Sequence, residues 1–199
     1  MHRLAIVVPA APHYRDEQGQ EYFWPGRVQR GIELALKYNC PLIFAGDANG
    51  GSDLDHSIDL AHKAGVRVTV RAFNGTQKNL KNTRGDARIT SSMIRDLPEL
   101  AHVEQLIVVT CWYHVPRAWI AYVQEIKVVN PERQINVYAD AIWHRAAEGL
   151  RRLLSPTGEL RGCLDYLRHR PQISRGWQAD AGKPDFVKAT SNRPDFQSV

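Results

Sequence analysis

The sequence predicts an α/β fold, a Rossmann-like three-layer sandwich with a mainly parallel central sheet of about five strands. Three observations predict it. Strand-like and helix-like segments alternate along most of the chain, the pattern of a parallel sheet with helices on both sides. The run Leu106-Ile-Val-Val109 is apolar and uninterrupted, as expected of a central strand covered on both faces. The segment that follows it passes through a polar turn into a helix opened by Pro116, a residue whose missing N–H costs nothing in a first helical turn.

The elements follow in order. Leu4–Val8 reads as the first strand, and Pro25–Tyr38, with apolar Val28, Ile32, Leu34, Ala35 and Leu36, as the first helix. Leu42–Phe44 is the second strand. Ser52 is suited to start a helix that runs to Ala64 and is closed by Gly65, before an alternating strand at Val66–Val70. Asn82 and Thr83 begin a further helix that ends near Leu97-Pro98. The Leu106–Val109 strand, a helix over His114–Val129 and a fifth strand at Ile135–Tyr138 complete the sheet. Ser155-Pro156 resembles an N-cap and N1 pair opening a helix to about Arg170. Residues 1–170 are therefore expected to form one domain. Residues 171–199 have few apolar positions and no period, and are expected to be a partly ordered tail. Trp177 and Phe186 are its candidate anchors on a second subunit, which would make the chain a homo-oligomer through this tail.

With 199 residues, 43% of them hydrophobic and 24% charged, the chain is long enough to bury a full core. No apolar run approaches the roughly 20 residues needed to span a bilayer, so a cytoplasmic protein without a membrane partner is expected. Cys40, Cys111 and Cys163 are odd in number and lack metal-ligand spacing, which argues for reduced thiols. The formal charge is +5, and residues 145–170 hold six arginines against three acids. Those arginines fall on amphipathic segments and no nucleic-acid-binding motif accompanies them, so they read as a solvated face.

Right-handed crossovers place every strand-to-helix loop on one edge of the sheet. That gathers residues 9–24, 46–51, 73–81, 110–114 and 139–143 at one cleft. Within it, Thr110, Tyr113, His114 and Arg117 come from the turn after the fourth strand. His114 is a candidate acid/base or anion donor, and its ordinary alternative is a helix N-cap. Arg117, with Arg27 and Arg30 from the first helix, forms a candidate anion clamp. Asp47, in Gly46-Asp-Ala-Asn-Gly-Gly51, stands where a Rossmann-like site holds a ribose hydroxyl or a metal, although Asp is also a common turn former. Asp53, Asn82 and Thr83 open the next helices, where they bind a ligand or simply cap. The loop from His13 to Trp24 reads as a substrate lid. Cys111 lies close to His114 in sequence, but adjacency in a turn does not make a catalytic pair.

Several of these junctions together carry a family resemblance. They are the apolar first strand, the Arg-rich first helix, Gly46 after strand two, the acidic helix start before Ala64-Gly65-Val66, Asn82-Thr83 with Ala87, and Tyr113-His114-Val115-Pro116-Arg117-Ala118. In this order they resemble the DUF218 group, the YdcF/SanA/ElyC-like proteins, over about residues 4–140. The resemblance implies a cleft at the strand carboxyl ends. For some members it implies S-adenosylmethionine as ligand, and for membrane-anchored ones a part in cell-envelope integrity. The chain departs from the pattern at Pro9-Ala-Ala-Pro12, where the family has a Gly-rich turn. It departs again at Gly85-Asp86, where Glu and Asn are usual, at Asp53 in place of a Glu, and at Cys111-Trp112.

The expected function is thus that of an enzyme, a transferase or hydrolase, acting on a small anionic or nucleotide-like ligand, with His114 and Asp47 as catalytic groups. S-adenosylmethionine is the cofactor the resemblance implies. One alternative is metal-assisted hydrolysis of a phosphoester or pyrophosphate by Asp47, Asp53 and His114, although the spacing matches no metal motif and leaves the metal open. Another is a non-catalytic metabolite-binding or envelope-biogenesis regulator.

Overall fold

The computed structural model of the chain describes residues 3–9, 13–15, 21–23, 26–46, 52–73, 83–143, 150, 153–154 and 159–168. Strand β1 spans Leu4–Pro9, and the short strands β2 (His13–Arg15) and β3 (Glu21–Phe23) follow it. Next come α1 (Arg27–Tyr38), β4 (Leu42–Gly46), α2 (Ser52–Lys63), β5 (Thr69–Phe73) and α3 (Thr83–Asp96). The described elements end with β6 (Gln105–Cys111), α4 (Val115–Val129), β7 (Asn136–Ile142) and α5 (Glu159–Arg168).

Five strands form one parallel sheet in the order β5-β4-β1-β6-β7. Alternate residues of each strand face opposite layers, which gives the sheet two cores. On one face Ala5, Val7, Ile43, Ala45, Val70, Ala72, Leu106 and Val108 pack against Ala87, Ile89, Met93 and Ile94 of α3 and Ala118, Ala121, Tyr122 and Ile126 of α4. On the other, Ile6, Val8, Leu42, Phe44 and Val109 meet Val28, Leu34 and Ala35 of α1 and Leu54 and Ala61 of α2. This is the expected three-layer sandwich. Helix α5 lies outside it, packed on α4.

The strand order contains one switch point. The chain leaves β1 toward β4 and β5, then crosses to β6 and β7 on the other side. The reversal falls between β1 and β6, and in open α/β sheets the carboxyl ends of the strands at such a point are where ligands bind.

Three local expectations are corrected. The strand expected at Val66–Val70 begins at Thr69 instead, because Gly65 and Val66 end α2. Gly65 sits at φ +92, its N–H donates to His62 O, and the Val66 N–H donates to Ala61 O. This is a Schellman closure in which Val66 turns inward as the apolar cap contact. The same closure ends α1, with Asn39 at φ 46 and the Cys40 N–H on Ala35 O. In the expected lid loop, residues 13–15 and 21–23 pair as an antiparallel ribbon, with Tyr14 opposite Tyr22. β-prone aromatic residues on both arms favour that pairing. Finally, residues 139–142, expected in a loop, continue β7, because each pairs in register with β6 as far as Cys111↔Ile142.

Candidate functional site

Strand β6 runs two residues beyond its apolar run, carrying Thr110 and Cys111 to the crevice fully buried. A single 3-10 turn, residues 112–114, then redirects the chain into α4, with Pro116 in its first turn. The turn holds its shape through aromatic contacts. The Trp112 ring meets Tyr113 edge-on at 5.8 Å and stacks on Trp143 at 5.4 Å. Tyr113 and His114 thereby point inward, 4% and 9% exposed.

His114 stands at the N-cap position of α4, but its side chain makes no capping hydrogen bond. Its ring is held between two other elements. Nδ1 lies 2.7 Å from Glu159 Oε2 at the start of α5, and Nε2 lies 3.3 Å from Thr83 Oγ1 at the start of α3. Arg117, in the first turn of α4, closes the group: its Nη2 donates to Thr83 Oγ1 at 3.2 Å and its Nη1 is 3.6 Å from Glu159 Oε2. Arg27, the first residue of α1, donates to Cys111 Sγ from Nη2 at 2.8 Å and from Nε at 3.2 Å.

Burial opposes a charge on the imidazole and lowers the His114 pKa below its ordinary 6.5. Glu159 pulls the other way, and the positive Arg27 and Arg117 add to the lowering. Burial also disfavours the Glu159 carboxylate. The hydrogen bond from His114, together with the charges of His114, Arg117 and Arg27, outweighs it and holds this carboxyl below the usual range. The lowered His114 pKa favours a neutral imidazole at neutral pH and the lowered Glu159 pKa an ionised carboxylate, the charge of His114 acting on Glu159 only once the ring is protonated. Since a carboxylate only accepts, the Nδ1–H must donate to Glu159, and Nε2 carries a lone pair toward Thr83. The Thr83 hydroxyl then donates to Nε2 while accepting from Arg117.

The site-residue expectations divide accordingly. Arg27, Thr83, His114 and Arg117 are gathered at the end of β6. Thr110 and Tyr113 lie beside them; the Thr110 hydroxyl is buried with no hydrogen-bond partner among the described residues. Arg30 points toward β7, where Nε and Nη2 grip the Asp140 carboxylate at 3.1 and 2.9 Å and Nη1 reaches Glu33 at 3.3 Å. Asp53 is buried in the first turn of α2, its carbonyl accepting from the Ser57 hydroxyl. Asp47 and Asn82 lie outside the described residues, as do the 171–199 tail and the oligomer contact expected there. Glu159, the acid that completes the site, carried no sequence signal beyond an acid early in an amphipathic segment after Ser155-Pro156. Among the described residues no three His, Cys, Asp or Glu side chains gather as a metal site, and no helix is long and apolar enough to cross a membrane. Cys40, Cys111 and Cys163 are all free thiols.

Comparison with known proteins found no matching family model, no matching curated protein and no matching solved structure.

Proposed function

We propose that the crevice at the ends of β1 and β6 is the active site of an enzyme acting on a small anionic molecule. In this reading His114 moves the proton, Glu159 orients its ring, and the Arg27 and Arg117 guanidiniums hold the anionic group. The observation that carries it is the placement of the His114 ring, Nδ1 against the Glu159 carboxylate and Nε2 against the Thr83 hydroxyl. Residues 83, 114, 117 and 159 come from three different helices and one turn, and burial favours the neutral form of the imidazole they hold. A neutral imidazole whose second nitrogen faces a hydroxyl is suited to general acid–base chemistry. Two guanidiniums close enough to shift its titration supply the complementary field for an anion. S-adenosylmethionine belongs to this reading through the resemblance alone.

Thermal-shift screening of the full chain with inorganic phosphate, nucleotides and S-adenosylmethionine tests it. A ligand bound by the native state raises Tm by mass action. The expected shift is lost in Arg117→Ala and Arg27→Ala and kept in His114→Ala, which should bind without turnover. A shift indifferent to both arginines would overturn the clamp. The absence of any shift with S-adenosylmethionine would remove that cofactor.

A further inference from the structure

Resting on His114 as the proton-transfer group, we infer that Thr83 is the nucleophile of a Thr83–His114–Glu159 triad. The reaction it points to is acyl transfer from a small ester that carries an anionic group.

Hydroxyls inside the described helices make local bonds. Ser57, Thr90 and Ser91 each donate to the carbonyl four residues earlier in their own helix, at 2.6, 2.8 and 2.7 Å. That is the ordinary occupation of such a side chain inside a helix. Thr83 opens α3, where no carbonyl four residues earlier belongs to the helix, and its hydroxyl faces the 112–114 turn, at an imidazole nitrogen of His114. The far nitrogen of the same ring is held by a carboxylate at 2.7 Å. Hydroxyl, imidazole and carboxylate in this sequence of hydrogen bonds define a nucleophilic triad by geometry and role, whatever the fold or the order in the chain. The Thr83–His114 distance of 3.3 Å is the relaxed spacing common before a substrate is bound.

The chemistry balances with the groups present. Thr83 Oγ1 attacks the ester carbonyl, forming an Oγ–C bond, and its proton passes to His114 Nε2. The tetrahedral intermediate collapses with cleavage of the bond to the leaving alkoxide, which takes the proton from Nε2. Water then repeats the two steps on the acyl-threonine, releasing the acid and restoring the hydroxyl. Glu159 stays ionised throughout and steadies the transient imidazolium. Arg117 Nη2, 3.2 Å from Oγ1, lies beside the place where the carbonyl oxygen gains its charge. Arg27, which donates to Cys111 Sγ, holds the anionic group of the substrate together with the remaining N–H groups of Arg117.

The test is covalent labelling of the full chain with a fluorophosphonate, with the site mapped by peptide mass spectrometry. The reagent forms an Oγ–P bond and releases fluoride with the hydroxyl proton. Label is expected on Thr83 in the wild-type chain and in Thr83→Ser. It should be lost in the near-isosteric Thr83→Val and slowed at least ~100-fold in His114→Gln. Circular dichroism melting checks that each variant is folded, and the wild-type mapping decides the matter even if Thr83→Val is not. Label absent from Thr83, or placed on another residue, overturns the triad. If the arginine-dependent thermal shift persists in that case, the proton-transfer reading stands and only the nucleophile falls. If that shift is missing as well, both fall.

Discussion

Acidification should destabilise this protein in a window that a single substitution removes. His114 is buried and its pKa lies below 6.5, so on lowering the pH the unfolded chain takes up this proton before the native state does. Stability bound to the neutral ring is complete above pH 6.5 and declines as the pH falls toward the native pKa. The slope cannot exceed that of one proton, about 1.4 kcal/mol per pH unit, and the unfolded state is only half protonated at its own pKa. Integrating from pH 6.5 to 5.5 gives a loss of at most about 1 kcal/mol from this residue. Glu159 contributes in a separate window: its native pKa is depressed, so its stabilisation is present above its ordinary 4.5 and is lost as the pH falls through the native value. Urea unfolding of the wild type and His114→Gln at half-unit steps from pH 7.5 to 5.0 measures the difference. The glutamine amide still offers a donor to Glu159 but takes up no proton, so the comparison rests on slopes and not on absolute stabilities. Parallel pH dependences in the two proteins would refute a buried neutral His114.

Three substitutions probe the scaffold and its link to the site. Gly31 lies where α1 meets β1, and an added Cβ would overlap the buried Val8 Cγ2 and stand 3.3 Å from Leu42 Cδ1. Gly31→Ala should therefore lower the urea-unfolding free energy by about 1–2 kcal/mol, overpacking outweighing the helix-propensity gain. Glu125 is fully buried in α4 and neutralises Arg84 at 2.6 Å and Arg88 at 3.6 Å from α3. Glu125→Gln should cost about 3 kcal/mol by chemical denaturation, near the lower end for a broken buried pair because both guanidiniums still reach water. Gly162→Ala places a Cβ 2.7 Å from Arg117 Cδ. The arginine stem can bend away, so Tm should change by only a degree or two while the anion-dependent thermal shift is lost. A retained shift would show that Arg117 is not needed in its present position.

The fold was legible because the signals that form it are local. Apolar runs at 4–8, 42–44 and 106–109 and the apolar faces of the helices need no partner to be recognised, and alternation with helices implies parallel order. What was displaced was displaced by backbone chemistry at the ends. Val66 has the residue type of a strand, yet Gly65 before it adopts φ +92 and recruits Val66 as the apolar closure of α2, so the ladder starts three residues later. Residues 139–142 look like a loop because β7 is an edge strand, with one side open to solvent and polar side chains tolerated along it.

The site was half legible, and the missing half explains why its chemistry was not. Arg27, Thr83, His114 and Arg117 all stand where a strand ends or a helix begins, and that position alone marked them. Glu159 is 45 residues beyond His114, on a helix outside the sandwich, and no spacing rule brings those two together. Arg30 was marked on the same grounds as Arg27, one helical turn away, but Asp140 at the end of β7 takes its guanidinium. Both outcomes were decided by acids contributed late in the chain, after the alternating pattern that predicts the sheet has ended. Without Glu159, His114 could present either nitrogen to Thr83, protonated or not, and a helix N-cap would be as good a description as a base. With it, Nδ1 is held to a carboxylate that can only accept, and while the ring is neutral Nε2 faces Thr83 as an acceptor, so Thr83 is the hydroxyl among those bonds with a base beside it.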